Sequence, residues 1–223
     1  MTIQDTRKTS AAVPYSLRNK EYKTKEDVVR FWLEAGKIYA DSIDCKIYKH
    51  QEINFKEMIQ QELDLKKLET VLDIGVGYGR LAKIILDNTP CIKEYDGIDI
   101  SQDQLDRSWG YVGKNIAYHG FRMDFENIVI ENWRKYDLVI STEVMTCFPY
   151  DVKPWIDKMV AMSKKYVVSL DHYVEPRQLS LEDSILRNWH FHPGDYTKNE
   201  NVINLKGISI PAYSQHLFIA RVK

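Results

Sequence analysis

The chain has 223 residues, 44% of them hydrophobic, which is enough apolar material for one sizeable core and little more. Lys+Arg 31 against Asp+Glu 32 leaves a formal charge of −1, so the overall positive field that draws in nucleic acid is missing. The cysteines Cys45, Cys91 and Cys147 fit neither a zinc site nor a disulfide framework, and no apolar run approaches the ~20 residues that span a bilayer. A reduced, cytoplasmic setting is expected, with no membrane partner and no bound metal.

Residues 1–20 are polar, lack the apolar core of an export signal and read as a loosely ordered arm. Residues 21–66 read as a helical lid ahead of the sheet. Within it, Val28, Phe31, Trp32, Ala35 and Ile38 follow a helical period behind a Thr24/Asp27 capping pair, and Phe55, Met58, Ile59 and Leu63 share a face of a second helix predicted at 54–64. From position 69 the pattern changes. The short apolar runs ETVLDIGVG, EYDGIDIS, KYDLVISTEV and KKYVVSLDHY alternate with helix-length segments, as buried parallel strands with crossover helices require. The last two runs, VINLKGISI and SQHLFIARV, are separated only by PAY, too short for a parallel crossover, so they are expected to pair antiparallel. The expected fold is a doubly wound α/β domain over 67–223, with a mostly parallel sheet of about seven strands, a C-terminal antiparallel hairpin and helices on both faces.

The stretch VLDIGVGYGRLA, Val71 to Ala82, carries the strongest functional signal. Glycines 75, 77 and 79 stand where a strand turns sharply into a helix, a position in which bare backbone can approach a ligand and the helix offers free N–H groups to an anion. A second strand ends at Asp99, 24 residues after Gly75, near the spacing of a carboxylate that accepts ribose hydroxyls. Asp99 could equally cap the next helix, a task Ser101 can perform.

On these residues the sequence resembles the class I S-adenosylmethionine-dependent methyltransferase superfamily over about 69–222. The resemblance rests on D-x-G-x-G-x-G at Asp73 to Gly79, the strand end Ile98 to Ile100, RMDF at Arg122 to Phe125, and YDLVISTEVM at Tyr136 to Met145. Arg80 occupies the place where a nicotinamide-binding fingerprint would carry its third glycine. The resemblance implies S-adenosyl-L-methionine as cofactor and S-adenosyl-L-homocysteine as product. It implies that Gly75, Gly77 and Gly79, with Arg80 at the helix start, cradle the methionine part and ribose, with Asp73 near the amino group. Asp99 would hold the ribose hydroxyls, Ile100 would pack on the adenine, Asp124 would accept the adenine amine, and Met123 and Phe125 would enclose the ring. Ser141, Thr142 and Glu143 end the fourth strand, where the family touches cofactor and substrate.

Methyl transfer needs alignment and exclusion of water, and a base only where the acceptor is protonated. His172, just past the fifth strand, is the first candidate for a base, with Glu143 and Tyr173 behind it. Tyr22, Trp32, His190 and His192 are weaker substrate candidates, and Tyr39 with Trp32 could help form a lid. STEV stands where base-methylating enzymes carry an Asn/Asp-Pro-Pro-Tyr-like motif, and Cys147 lacks the Pro-Cys dipeptide of cytosine-5 enzymes. The expected function is therefore methylation of an O or N atom of a small molecule. RNA or protein methylation, or a catalytically silent cofactor-binding scaffold, are the alternatives.

Overall fold

Helix α1 (Lys25–Ser42) opens with the reciprocal cap that its sequence encodes: Thr24 Oγ1 accepts the Asp27 N–H at 3.3 Å and Asp27 Oδ2 accepts the Thr24 N–H at 3.2 Å. The computed structural model describes residues 24–42, 46–113, 117–145, 153–172, 194–210 and 215–223. The 1–20 arm, Tyr22, Cys45, Cys147, Tyr173, His190 and His192 lie outside them, and of His172 only the strand backbone is described. Val28 and Ala35 are buried, and Trp32 packs against the core, but Ile38 is 48% exposed. Ten residues at 100° each carry Ile38 about 80° off the direction of Val28, beyond the edge of the apolar stripe. The second helix, α2 (Lys46–Glu62), begins eight residues before the predicted start and buries Phe55, Met58 and Ile59. Its first two turns are mostly polar, so no apolar period announced them.

The sheet follows as β1 (Thr70–Ile74), α3 (Arg80–Asn88), β2 (Glu94–Asp99), α4 (Gln102–Val112), β3 (Tyr118–Arg122), β4 (Tyr136–Thr142), α5 (Lys153–Met162), β5 (Ser163–His172), the single-turn α6 (Gly194–Thr197), β6 (Val202–Ile210) and β7 (Gln215–Val222). Its strand order is β3-β2-β1-β4-β5-β7-β6. Strands β1 to β5 run parallel, and β7 is antiparallel to both β5 and β6, as expected of the C-terminal hairpin.

Alternation along the strands sorts side chains to two faces. Val71, Leu138, Ile140 and Val168 meet α2 and α3 on one side, whereas Leu72, Ile74, Val139 and Val167 meet α5 on the other. Val28 of α1 joins the second layer. The chain reverses its winding between β1 and β4, so their carboxyl ends part and leave a crevice beneath α1, the place where open α/β sheets bind ligands.

Candidate functional site

The crevice is built first by the loop between β1 and α3. The N–H groups of Gly75 and Val76 both donate to the Ile98 carbonyl, at 2.8 and 3.0 Å, which ties the loop to β2. Gly75 has φ 71°, and a Cβ there would stand 2.2 Å from Val144 Cγ2, so no larger residue fits. Gly77, at φ 57°, differs: a Cβ would meet only Gln104 Oε1 at 3.9 Å. Bare backbone thus faces open space at Gly77, as close ligand approach requires.

Asp99 stands at the end of β2 beside this loop. Its Oδ2 accepts the Gly77 N–H at 3.0 Å and its Oδ1 accepts the Ser101 N–H at 2.8 Å. Burial pushes its carboxyl up to about 6, against the pull of these backbone donors. The helix cap is Ser101, whose Oγ accepts the Gln104 N–H at 3.4 Å, so Asp99 is not spent on capping.

The cleft encloses about 1060 Å³ including its mouth. It brings together Gly75, Gly77, Arg80, Asp99 and Ile100 with Met123, Asp124 and Phe125, and adds Thr142, Glu143 and Trp32. Three predicted residues are not on its wall. Gly79 packs against Ser108 and Val112 of α4, and Ser141 is fully buried with no hydrogen-bond partner for its hydroxyl among the described residues. Asp73 lies beneath the loop, 2% exposed, with Oδ2 accepting the Tyr95 hydroxyl at 2.7 Å and Oδ1 without a partner among the described residues. Burial drives its carboxyl up to about 7 although the Tyr95 hydrogen bond opposes this.

At one end of the cleft Asp124 caps a short 3-10 turn, Phe125–Asn127, with Oδ1 accepting the Glu126 N–H at 2.9 Å. Lys25, in the first turn of α1, lies 2.7 Å from Asp124 Oδ2 and 2.5 Å from Glu126 Oε2. Burial lowers its ammonium, but hydrogen bonds to the two carboxylates outweigh that and hold it above the ordinary lysine value. Helix α1 is thereby anchored to the acid expected to read adenine.

At the other end Glu143 has a left-handed backbone, φ 57°, unusual for a residue with a side chain. Its N–H donates to the Leu170 carbonyl of β5 at 2.7 Å, which holds the turn in place. Gln51 of α2 donates its Nε2 to Glu143 Oε1 at 3.3 Å and accepts an Arg80 N–H at Oε1. Lys25, Gln51, Tyr78 and Gln104 went unpredicted. Lys25, Gln51 and Gln104 are lone polar residues with no motif to mark their place in a site, Tyr78 sits at a variable position of the glycine motif, and Val28 read only as part of the apolar face of its helix.

These features form a Rossmann-like cleft of the class I methyltransferase fold, and solved structures share it. The magnesium protoporphyrin IX methyltransferase of Synechocystis superposes with TM-score 0.65 at 15% identity, over 88% of this chain and 98% of that one. NodS, an N-methyltransferase of Bradyrhizobium japonicum, gives 0.66 at 16%, over 88% and 99%. A protein of Nostoc punctiforme assigned to the O-methyltransferases gives 0.67 at 14%, over 84% of this chain, which spans only 60% of that larger protein. Residues 72–165 match a family model described as a methyltransferase domain. No curated protein matches the chain by sequence.

The cleft fits S-adenosylmethionine: a Cβ-free approach at Gly77, an acid at Asp99 that accepts backbone N–H groups, and a second acid at Asp124 bounded by Met123 and Phe125. Among the described residues no helix is long and apolar enough to cross a membrane, and no three metal-ligating side chains cluster.

Proposed function

We propose that the protein transfers a methyl group from S-adenosyl-L-methionine to an oxygen or nitrogen atom of a small molecule, releasing S-adenosyl-L-homocysteine and a proton. The observation that carries this reading is the convergence of the open Gly77 backbone, Asp99 and Asp124 on one cleft at the carboxyl ends of β1 and β2. The cofactor, when bound, supplies a methyl group activated by its sulfonium sulfur. The chain's own part is to bind, align and keep water out. Asp99 accepts the ribose hydroxyls, Asp124 accepts the adenine amine, and Ile100, Met123 and Phe125 bound the ring. Trp32 and Val28 on α1, with Trp155 on α5, roof the cleft with apolar surface, so water is displaced from the reacting atoms.

The near-balance of charge supports a small acceptor over RNA, which calls for a basic groove. His172, whose backbone stands at the carboxyl end of β5, is the group assigned to take the acceptor's proton. Incubation with labelled cofactor and a metabolite panel, beside an RNA pool and a peptide pool, tests the whole reading. Label entering only RNA or peptide would overturn the acceptor class. His172→Ala should slow the chemical step about 100-fold while S-adenosylhomocysteine affinity stays within a few-fold of wild type. Near-normal turnover in the folded variant would remove His172 from the reaction.

A further inference from the structure

The turn that brings Asp124 and Phe125 to the cleft wall is only three residues long, Phe125–Asn127, with Asp124 as its cap. A 3-10 turn this short has poor hydrogen-bond geometry, so the direction of Asp124 depends on what the turn is fastened to. Lys158 of α5 supplies the fastening. Its ammonium donates to the carbonyls of Phe125, Glu126 and Ile128 at 3.2, 2.8 and 3.0 Å, one hydrogen for each acceptor, and lies 5.3 Å from the centre of the Phe125 ring. Trp155, one helical turn earlier, adds a second attachment. Its Nε1–H donates to Glu126 Oε1 at 3.0 Å, and its ring meets that of Phe125 in a T-shaped contact with centroids 4.9 Å apart.

Lys158 and Lys25 grip the same turn in different ways. Lys25 reaches the side chains of Asp124 and Glu126 from α1, above the cleft. Lys158 holds backbone, and it comes from a helix whose Ile156, Met159 and Val160 are buried in the core, so it fixes the turn to the sheet. Burial lowers its ammonium, and the nearby Glu126 and Asp124 carboxylates only oppose this. We propose that Lys158 is a positioning residue for base recognition. By fixing three carbonyls of one turn it aims the Asp124 carboxylate at the 6-amino group of a purine, and thereby sets the preference for adenine over a 6-oxo purine. Lys158 is not on the cleft wall and acts through the turn. The three carbonyls converge on one nitrogen, an arrangement that a tetrahedral ammonium serves and a planar guanidinium does not.

The proposal rests on the cofactor reading above, in which Asp124 accepts the adenine amine. Two ligands that differ only in the base isolate the new part: S-adenosylhomocysteine carries adenine and S-inosylhomocysteine carries hypoxanthine. Calorimetric titration with both should show wild type preferring S-adenosylhomocysteine at least about tenfold, the scale of a hydrogen bond to a charged group. Lys158→Met keeps the chain length but removes the donors, and should reduce the preference below about threefold. Lys158→Arg should do the same, and it answers the question if Lys158→Met does not fold. The ratio of the two affinities is the readout, because general loosening or lost ring packing weakens both ligands alike. Asp124→Ala is the control and should abolish the preference. If it does, and the preference survives in Lys158→Met, or in Lys158→Arg where only that variant folds, the role of Lys158 is overturned and the cofactor reading stands. No preference in wild type, or a preference that survives Asp124→Ala, overturns the adenine reading and the role of Lys158 with it.

Discussion

Four acids on the sheet, Asp137, Asp96, Asp99 and Asp73, fall into two groups. Asp137, at the start of β4, is 6% exposed and accepts the Glu69 and Thr70 N–H groups at 2.9 and 3.1 Å, with Lys165 at 3.0 Å. Burial raises its carboxyl, but these donors outweigh it and hold the group below the ordinary aspartate value. Asp96, also 6% exposed, accepts from Tyr136 and Arg134, each at 2.7 Å. At the carboxyl end of the sheet, Asp99 faces the backbone N–H groups of Gly77, Ile100 and Ser101 and Asp73 faces one hydroxyl, and both carboxyls are raised. Where an acid holds the fold together it is supplied with cations and enough donors. At the ligand end neither acid is paired with a cation among the described residues, and burial raises both.

The contrast breaks most visibly at Asp137. Asp137→Ala should cost about 3 kcal/mol of stability, since the part-buried N–H groups of Glu69 and Thr70 and the Lys165 ammonium lose their acceptor. Chemical denaturation measures it, and a loss below about 1 kcal/mol would erase the distinction between the two groups. Asp73 should behave in the opposite way. Its carboxyl is raised from 3.8 to about 7, so its contribution is full below pH 4 and is lost as pH rises through about 7. Asp73→Asn should therefore gain about 2 kcal/mol on wild type between pH 4 and pH 8, and a constant difference across that range would contradict the assigned state.

Ligand binding sharpens the comparison further. Asp99→Ala should weaken S-adenosylhomocysteine at least about tenfold without unfolding the domain, because the ribose hydroxyls lose their acceptor. The same carboxylate makes wild-type affinity depend on pH. Binding draws on the ionised form, so affinity should fall as pH drops through about 6, by up to about tenfold between pH 7 and pH 5, and Asp99→Asn should flatten the profile. The smallest effect is expected at Glu143: Glu143→Gly removes a side chain from a left-handed backbone and should add roughly 0.5–1 kcal/mol to the stability of the ligand-free protein.

Much of this architecture was legible in the sequence, and the reasons are local. Parallel strands buried on both faces leave uninterrupted apolar runs, and the three-residue PAY link forced the C-terminal strands to be antiparallel. Gly75, Gly77 and Asp99 were legible because backbone strain and spacing leave marks in a chain. Asp73 was legible only as a motif letter; its place beneath the loop depends on Tyr95, which lies 22 residues away. Gln51 left no mark at all, since a glutamine in a polar helical turn reads as solvated surface until the fold sets it between Arg80 and Glu143. Lys25 is similar: its two partners, Asp124 and Glu126, are about a hundred positions on, and no periodicity connects them.

Strand β7 lies between β5 and β6, although it follows both in sequence. On the ribosome, residues 70–142, with the glycine loop, Asp99 and Asp124, emerge well before residues 215–222. A nascent chain thus acquires most of its nucleoside pocket while β5 still presents an unpaired edge, the kind of surface that recruits neighbouring strands. Ligand present during synthesis can stabilise that half-built sheet by mass action before its last strand arrives.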